Sequence, residues 1–322
     1  MGEFELIRRH FQRPGVQLPA DVSLGVGDDG ALLRPRPGHE LAVSTDMLVQ
    51  DRHFFASVDP AALGHKALAV NLSDLAAMGA VPLGFTLALA LPEADDAWLS
   101  AFARGLFALA DANTCPLVGG DTTRGPLNIC ITVFGQVRTG RALRRSAAHA
   151  GDDLYVSGRT GEARLALEHQ RGTDWASAAT GVHLRDRLER PSPRNALGVA
   201  LASVDGAHAA IDLSDGLVGD LGHILAASGV GAELDVALLP VAPEIAALPE
   251  AHRLECLLAG GDDYELLFTA APAARDAVLA AAVTSQTPVT RIGRITEGNG
   301  LRLRGAKGRP LSLRVQGFDH FA

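Results

Sequence analysis

The chain has 322 residues, enough for two domains of ordinary size, and its 47% apolar and 20% charged content is typical of a globular protein. Its formal net charge is −8 and it has no dense basic cluster, so we expect no nucleic-acid partner. The three cysteines form no C-x-x-C pair and the N-terminus has no apolar signal core, which favours a cytoplasmic protein without a disulfide framework or structural zinc.

Hydrophobic periodicity predicts alternating helices and strands in the first part of the chain. Asp59 followed by Pro60 is an N-cap with a first-turn proline, and the helix that it begins should end near Gly79. The uncharged stretch 75–92 contains Gly79, Pro82 and Gly84 and changes its periodicity midway, so we expect a turn and a strand there and no membrane span. The predicted helices are 3–12, 60–79 and 94–112, and the predicted strands are 40–46, 84–91, 116–121 and 127–137.

The pattern starts again after Arg138. The polar stretch 170–195 is predicted to be a loop that leads into a helix, and the tail from 288 on should form short strands with glycine-rich turns. The remaining predicted strands are 153–158, 209–215 and 264–270, and the remaining helices are 161–169, 216–228 and 272–282. Strands and helices interleave without regular β-α alternation, so we predict an α+β protein of two domains, 1–138 and 139–322.

Two tripeptides recur at one constant offset. LSD occurs at 72–74 and 213–215, GGD occurs at 119–121 and 260–262, and both offsets are 141 residues. An internal duplication would explain this spacing, with each half contributing an equivalent acidic loop to one shared site. Chance repetition of two short motifs is the alternative.

Aspartates beside Gly, Ser or Thr recur in six segments, and several of these segments follow an apolar strand. Short side chains with oxygen ligands suit magnesium, which takes carboxylates together with substrate phosphates. Adjacent glycines let the backbone approach an anion closely. Each segment alone could be a turn or a helix cap, but together they favour a metal site. The segments are 25–33, 44–48, 71–79, 119–123, 212–216 and 260–265.

Other nucleotide and catalytic motifs fail on their chemistry. GVGDDG at 25–30 matches G-x-G-x-x-G, but no buried strand precedes it, and Asp28 and Asp29 would place negative charge where a pyrophosphate should bind. There is no Gly-Lys pair for a Walker A loop and no G-x-S-x-G, so we expect no covalent nucleophile. RALRRS at 141–146 offers arginines for a phosphate or, equally well, a solvated face.

Taken together, these motifs resemble the thiamine-monophosphate kinase family over nearly the whole chain. The resemblance rests on GHKALAVNLSDLAAMGA, GGDTTRGPL, STDMLVQDRHF, IDLSDGLVGDLGHI and GGDDYELLF, which occur in the family's order. It implies a homodimer whose N-terminal α/β domains pair across a β-barrel-like interface and bind metal and ATP. The C-terminal α/β sandwich-like domain is then expected to complete the nucleotide and substrate site.

The resemblance also implies roles for individual residues. Magnesium ligands are expected at Asp29, Ser44, Thr45, Asp46, Asp74, Asp121, Asp212 and Asp215. Nucleotide contacts are expected at Gly120, Asp121, Arg145 and Ser214, and substrate contacts at His53, Asp262 and Phe318. Three positions depart from the family pattern: Asp262 stands where the family usually has Glu, Phe318 where it often has Tyr or Trp, and Gly30 where some relatives have Cys.

The implied reaction is transfer of the γ-phosphate of ATP directly to thiamine monophosphate, with several Mg²⁺ ions. A phosphate monoester is mostly ionised at pH 7, so the acceptor needs no general base, and metal ions would screen the two polyanions. Two alternatives stay open: another ATP-dependent enzyme of the superfamily that contains aminoimidazole ribonucleotide synthetase, or a non-catalytic protein that binds magnesium and nucleotide.

Overall fold

The computed structural model describes residues 2–177, 182–305 and 308–311. The chain divides into two compact units, and the boundary follows Gly140. Residues 76–79 group with the second unit. The α+β class predicted from the pattern is confirmed. None of the described helices combines the length and the apolar character that a membrane span requires.

The first unit is built on a four-stranded sheet in the order β3-β6-β4-β5. The strands β4 and β5 pair in parallel, and the other neighbours pair antiparallel. A small two-stranded sheet of β1 and β2 lies outside it. The elements are α1 (Glu3–His10), β1 (Val22–Leu24), β2 (Leu32–Leu33), β3 (His39–Val49), α2 (Pro60–Ala77), β4 (Val81–Leu91), α3 (Asp96–Ala112), β5 (Leu117–Arg124) and β6 (Asn128–Arg138).

Helices α2 and α3 cross at two glycines, which sets how closely they pack. A Cβ on Gly64 would lie 2.1 Å from the Phe102 carbonyl oxygen, and one on Gly105 would lie 1.8 Å from that of Ala61. No other residue fits at either crossing point. Side chains such as Phe85, Ile131 and Phe102 are fully buried in this unit, so α2 is held firmly over one face of the sheet.

The second unit has a seven-stranded sheet in the order β13-β12-β9-β11-β7-β10-β8. Only β12 and β9 pair in parallel. Its strands are β7 (Asp153–Ser157), β8 (Ala207–Asp212), β9 (Gly231–Asp235), β10 (Leu266–Ala270), β11 (Val289–Thr296), β12 (Gly300–Arg304) and β13 (Pro310–Leu311). Its helices are α4 (Glu162–Gln170), α5 (Val182–Glu189), α6 (Asn195–Ala202), α7 (Leu217–Ser228), α8 (Pro243–Ala246), α9 (Glu250–Ala259) and α10 (Arg275–Thr284).

Both faces of this sheet are buried. Along β7, Leu154 and Val156 belong to one apolar cluster while Tyr155 belongs to another. The first cluster includes Leu221 of α7, and the second includes Leu197 of α6. Alternation of side chains along the strands therefore gives a three-layer arrangement, with helices on each face of the sheet.

Three sequence predictions were wrong. The stretch 170–195 contains helix α5, whose Leu184 is buried although most of its neighbours in sequence are polar. Strand β8 ends at Asp212, not at residue 215. The two LSD motifs are not equivalent loops, because Asp74 lies within helix α2 whereas Asp215 lies in the loop before α7. The constant offset of 141 residues therefore does not reflect two equivalent acidic loops.

Candidate functional site

In the first unit, strand β3 and helix α2 bring together a group of oxygen-bearing side chains. The Ser44 hydroxyl donates a hydrogen bond of 2.5 Å to Oδ2 of Asp74. The Asp46 N–H donates to Oδ1 of Asn71 at 3.0 Å, and the Asn71 amide in turn donates to the Ala67 carbonyl. Ser44 and Asp46 share a face because they are two residues apart on a strand, and Asn71 and Asp74 are neighbours on a helix.

Asp46 and Asp74 form a close pair of carboxyl groups. Burial, together with the charge of Asp74 and a hydrogen bond with it, raises the pKa of Asp46 to about 7. Two carboxylates in contact cannot both remain ionised at low cost unless a cation or a proton lies between them. With the Ser44 hydroxyl beside them, they form the oxygen-donor set that Mg²⁺ prefers.

The Thr45 side chain does not join this group. Thr45 pairs with Thr132 across β3 and β6, and their hydroxyl oxygens are 2.9 Å apart. Because side chains alternate along a strand, Thr45 lies on the opposite face from Ser44 and Asp46. Its predicted role as a ligand would fall to its main-chain oxygen, which no sequence pattern could have distinguished from the hydroxyl.

Gly120 and Asp121 lie on β5, at the other edge of the same sheet. Two strands lie between β5 and β3, so the strand that carries Asp121 is roughly 14 Å across the sheet from the strand that carries Asp46 within one chain. Gly120 has φ +148°, and a Cβ there would lie 2.0 Å from the Leu87 carbonyl oxygen. The glycine is therefore required by the backbone, and Asp121 next to it is exposed.

The two remaining predicted residues of this unit lie in loops. Asp29 is exposed between β1 and β2, and its N–H donates to Oδ1 of Asp28 at 2.9 Å. His53 lies in the turn after β3, where its Nδ1 accepts the Val49 N–H at 3.0 Å. Since Nδ1 is used in this way, a ligand contact of the His53 ring would be made through Nε2.

In the second unit, the loop 212–216 and the loop 260–265 run side by side. The Asp262 N–H donates to the Ser214 carbonyl at 3.0 Å, and the Tyr264 N–H donates to the Leu213 carbonyl at 2.8 Å. A Cβ on Gly261 would lie 2.4 Å from the Ser214 carbonyl oxygen. The glycine thus lets the two loops approach, and the aspartates at 212, 215 and 262 are gathered at one end of β8 and β10.

Asp220 is a residue of this cluster that sequence analysis missed. Its Oδ2 accepts the N–H groups of Asp215 and Gly216, each at 3.1 Å. Burial, reinforced by the charge of Asp215, raises the pKa of Asp220 to about 7. His223 lies one turn further along α7, and its ring also lies within reach of both carboxylates. Asp220 lies on the first turn of α7 and faces the loop, but in the sequence it is only one acid within a predicted helix.

Two further acids in GGDDYE are buried, and sequence analysis assigned neither of them. Both oxygens of Asp263 accept the Gly161 N–H at the start of α4, at 3.0 and 2.9 Å. Glu265 accepts hydrogen bonds from Ser157, Arg187 and Arg194. Burial opposes ionisation of Glu265, but Arg194 and Arg187 lower its pKa below the ordinary value. These contacts anchor the loop that carries Asp262.

The conformation of Asp262 is also restrained. Its φ is +65°, a region that Asp tolerates better than most residues, and its Oδ1 accepts the Tyr264 hydroxyl at 3.3 Å.

The last two predicted site residues are Arg145 and Phe318. Arg145 begins a short 3-10 helix, Arg145–Ala147, and its carbonyl accepts the Ser228 hydroxyl at 2.8 Å. Phe318, the third predicted substrate contact, lies outside the described residues.

Comparison with family models identifies two matches. Residues 27–137 match the model described as AIR synthase related protein, N-terminal domain, and residues 149–306 match the corresponding C-terminal domain. The two matches correspond to the two units, except that residues 76–79 lie in the first match and group with the second unit.

Similar proteins and structures cover the full chain. Thiamine-monophosphate kinase of Escherichia coli K12 is 47% identical, with 100% of this chain and 98% of the relative covered. The protein of that name from Haemophilus influenzae is 40% identical, with the same two shares covered. The crystal structure of the Stenotrophomonas maltophilia K279a protein has a TM-score of 0.83 at 46% identity, covering 96% of each chain. A structure described as AaThiL complexed with AMPPCP and TMP has a TM-score of 0.75 at 28% identity, covering 99% of this chain and 96% of that one.

Proposed function

The chain belongs to the thiamine-monophosphate kinase family, and we propose that its two acidic clusters hold the magnesium ions that this reaction uses. It is an ATP-dependent enzyme that phosphorylates thiamine monophosphate. The observation that carries the metal proposal is the contact between Asp46 and Asp74, two carboxyl groups with a hydroxyl beside them. A hard divalent cation satisfies all three oxygens at once.

The residues present fit magnesium in each unit. In the first unit, Ser44, Asp46 and Asp74 would hold metal, with Asp29, the main chain of Thr45 and Asp121 as further ligands. In the second unit, Asp212 and Asp215 would do so, supported by Asp220. When bound, the ions supply positive charge that offsets repulsion between the two phosphate-bearing substrates.

The acceptor is a phosphate oxygen that is already ionised near neutral pH. It attacks the γ-phosphorus of ATP, the bond from that phosphorus to the β-bridging oxygen breaks, and ADP leaves with the bonding electrons. Thiamine diphosphate is the other product. No proton has to be removed from the nucleophile, so the chain needs positioning groups and not a general base. No covalent intermediate with the enzyme is expected.

Nucleotide and substrate contacts are assigned by the family motifs and their local geometry. We propose that the nucleotide is contacted by Gly120, Asp121, Arg145 and Ser214. Gly120 has no side chain and leaves its backbone accessible, and the Arg145 guanidinium can donate two hydrogen bonds to a phosphate. His53 through Nε2, Asp262 and Phe318 are proposed to contact thiamine monophosphate. We also propose that the protein acts in the cytoplasm, where ATP is available as a co-substrate.

We also propose a homodimer formed through the outer face of the first sheet. Val43 and Met47 on β3 are 55% and 52% exposed, and Leu41 beside them is 47% exposed. They pair with Phe134, Cys130 and Gln136 of β6, respectively. An apolar strip on the face that carries no helix is typical of a surface that a second copy covers.

In the barrel-like interface expected from the family, the outer faces of two such sheets would lie inside the barrel, and their edge strands would lie next to each other. The edge strands are β3 and β5, so β5 of one protomer would lie beside β3 of its partner. The partner subunit's Asp121 would then approach Thr45 and Asp46. This arrangement accounts for a predicted ligand that lies at the far edge of the sheet within one chain.

The test of the reaction is product identity. The enzyme is incubated with Mg²⁺, ATP and either thiamine monophosphate, an aminoimidazole precursor or selenide, and ADP and thiamine diphosphate are quantified. We expect equal amounts of ADP and thiamine diphosphate with the first acceptor alone. ADP with another acceptor would favour a different member of the superfamily. Binding of Mg-ATP without turnover with any acceptor would favour a non-catalytic binding protein.

The dimer is tested separately by analytical ultracentrifugation of the wild type and of Val43→Glu. We expect a wild-type dimer and a folded, monomeric variant, because a charge buried in an apolar interface lacks a partner. A matched change on the helical side of the molecule, Ala112→Glu, should leave the dimer intact. A wild type that sediments as a monomer would contradict the proposal.

A further inference from the structure

A second group of metal-binding side chains lies away from the acidic loops. His149 and Asp152 belong to the turn before β7, and His208 belongs to β8. Nδ1 of His208 is 2.9 Å from Oδ2 of Asp152 and 3.1 Å from Nδ1 of His149. The two rings meet edge to face, with centroids 4.4 Å apart. Three ligand atoms from residues up to 59 positions apart in sequence thus converge at one point.

Without a cation, the protons on Nδ1 of His149 and His208 cannot give every one of these close contacts its own hydrogen bond. If the His208 Nδ1–H donates to Asp152, the His149 Nδ1 must be the unprotonated acceptor of the same hydrogen. If both rings carry a proton on Nδ1, the two N–H groups point at each other. A cation at the centre resolves this because it accepts a lone pair from each of the three atoms.

The spacing fits a small transition-metal ion. Ligand atoms at the corners of a tetrahedral zinc site are roughly 3.3 Å apart, given Zn–N distances of about 2.0–2.1 Å. The observed separations of 3.1 and 2.9 Å need only a slight expansion. Two imidazoles and one carboxylate are ligands for zinc and its first-row neighbours, whereas magnesium prefers oxygen alone. We therefore propose that His149, Asp152 and His208 bind a divalent transition-metal ion of the zinc class.

The backbone holds two of these residues in place without the metal. The His149 N–H donates to Oδ2 of Asp152 at 2.9 Å, and the Asp152 N–H donates to the His149 carbonyl at 3.0 Å. Gly151 has φ +96°, as the third residue of a type II turn requires. The Asp152 carbonyl accepts the N–H of Ile295 on β11. The turn is therefore fastened to the sheet, and little ordering is needed when an ion binds.

The third ligand, His208, lies on β8 at the same height on the sheet as Asp152. Ala270 of β10 pairs with Ala207 of β8 on one side and with Asp153 of β7 on the other. His208 and Asp152, each adjacent to one of these partners, are therefore at the same height on the sheet. His208 lies four residues before Asp212, about 13 Å along β8. The ion would link the turn before β7 to β8 and stabilise the second unit, separately from the proposed magnesium site and whether or not that site is correct.

The experiment uses the full chain, stripped of metal with a chelator and dialysed into excess Mg²⁺. Zn²⁺ is then titrated by calorimetry, and Co²⁺ is followed by its visible absorption. We expect one Zn²⁺ site that persists in Mg²⁺ and a Co²⁺ spectrum with nitrogen ligands. His149→Gln should weaken Zn²⁺ binding roughly tenfold or more, since loss of even an outer partner costs about 10–100-fold. His149 is exposed, so this variant should fold normally.

The matched control is His223→Gln, which removes the histidine beside Asp215 and Asp220. Zn²⁺ affinity should be unchanged in this variant. Asp152→Asn and His208→Gln provide two further tests, and thermal unfolding in chelator checks that they fold. Zn²⁺ should raise the melting temperature of the wild type and not that of His149→Gln. Equal Zn²⁺ affinity in His149→Gln and wild type, loss of binding in His223→Gln alone, or complete displacement by Mg²⁺ would overturn the proposal.

Discussion

Ser44 on strand β3 and Asp74 on helix α2 are joined by a hydrogen bond of 2.5 Å from hydroxyl to carboxylate. This contact aligns Asp74 with Asp46, whose own N–H is held by Asn71. The strand and the helix thus position two carboxyl groups before any ligand arrives. Such preorganisation lowers the cost of ordering ligands around a metal ion.

Asp46→Asn should lower kcat/KM for thiamine monophosphate by about 100-fold or more, because the neutral amide lacks the negative charge with which a carboxylate binds magnesium. ADP release measured across Mg²⁺ concentrations checks this, and circular dichroism should show an intact fold. Asp95→Asn is the matched control. It removes one charge from the same unit at the N-cap of α3, where Asn caps equally well. Near-wild-type activity of Asp46→Asn would exclude Asp46 from the metal site.

The stability of the metal-free protein should fall as pH rises from about 4 to about 7. The pKa of Asp46 is raised by burial and by Asp74, and that of Asp220 by burial and by Asp215, each to about 7. In this window the folded state holds protons that the unfolded state has released, so raising the pH favours unfolding. Urea unfolding in chelator at several pH values measures the effect.

Asp46→Asn should flatten part of this pH dependence, since it removes one of the carboxyl groups whose pKa is raised; buried Asp263 is another such group and remains in the variant. Mg²⁺ should raise the melting temperature more at pH 7.5 than at pH 5.5, where it competes with the bound protons. If wild type and Asp46→Asn show the same pH dependence in chelator, Asp46 does not titrate as described.

Glu265→Gln should destabilise the protein by about 3–5 kcal/mol, because it removes the carboxylate that pairs with both Arg187 and Arg194 and leaves Arg187 only its longer contact with Glu162. Both arginine side chains are only 19% exposed. Chemical denaturation gives the free energy of unfolding. Asp205→Asn is the control, since its ion pair with Arg141 is exposed and should contribute about 0–1 kcal/mol. Similar small losses in both variants would show that the Glu265 contacts are not structurally important.

Gly120→Ala should destabilise the first unit and weaken ATP binding. The residue has a positive φ, and the added Cβ would lie 2.0 Å from the Leu87 carbonyl oxygen, so β5 must move. The expected cost is about 1–3 kcal/mol. Gly125→Ala is matched to it, because its Cβ would lie 3.6 Å from Ala90, an ordinary contact. Thermal unfolding and nucleotide titration of both variants test this, and equal behaviour would contradict the close approach at Gly120.

Asp262→Asn should raise the KM for thiamine monophosphate about tenfold, the loss of a charged hydrogen bond of about 1.4 kcal/mol. Asn tolerates the φ of +65° at this position as well as Asp does, so the loop should keep its conformation. Asp262→Glu introduces the residue that the family resemblance leads us to expect at this position, and it should preserve or improve substrate affinity. Steady-state kinetics measure both, and a large loss in Asp262→Glu would show that the loop has adapted to the shorter acid.

The sequence by itself determined the fold class and the family, and it supplied most of the acids of the proposed metal sites as predictions. Local patterns suffice for these, because periodicity reports which face of an element is buried and motifs such as NLSDLAAMGA are long and specific. It also located the long elements of the first unit to within a few residues. Helix α5 was missed because Leu184 and Leu188, which hold it against the core, lie within a polar stretch.

Only the tertiary structure decided which of these acids meet. It placed Ser44 beside Asp74 and turned the Thr45 side chain to the opposite face, since alternation along a strand fixes a side only once the strand is paired. It also identified Asp220 and Glu265 as buried partners of the loops. The three residues of the proposed transition-metal site are brought together only because β7 and β8 both pair with β10. Long-range pairing of this kind leaves no trace in local sequence.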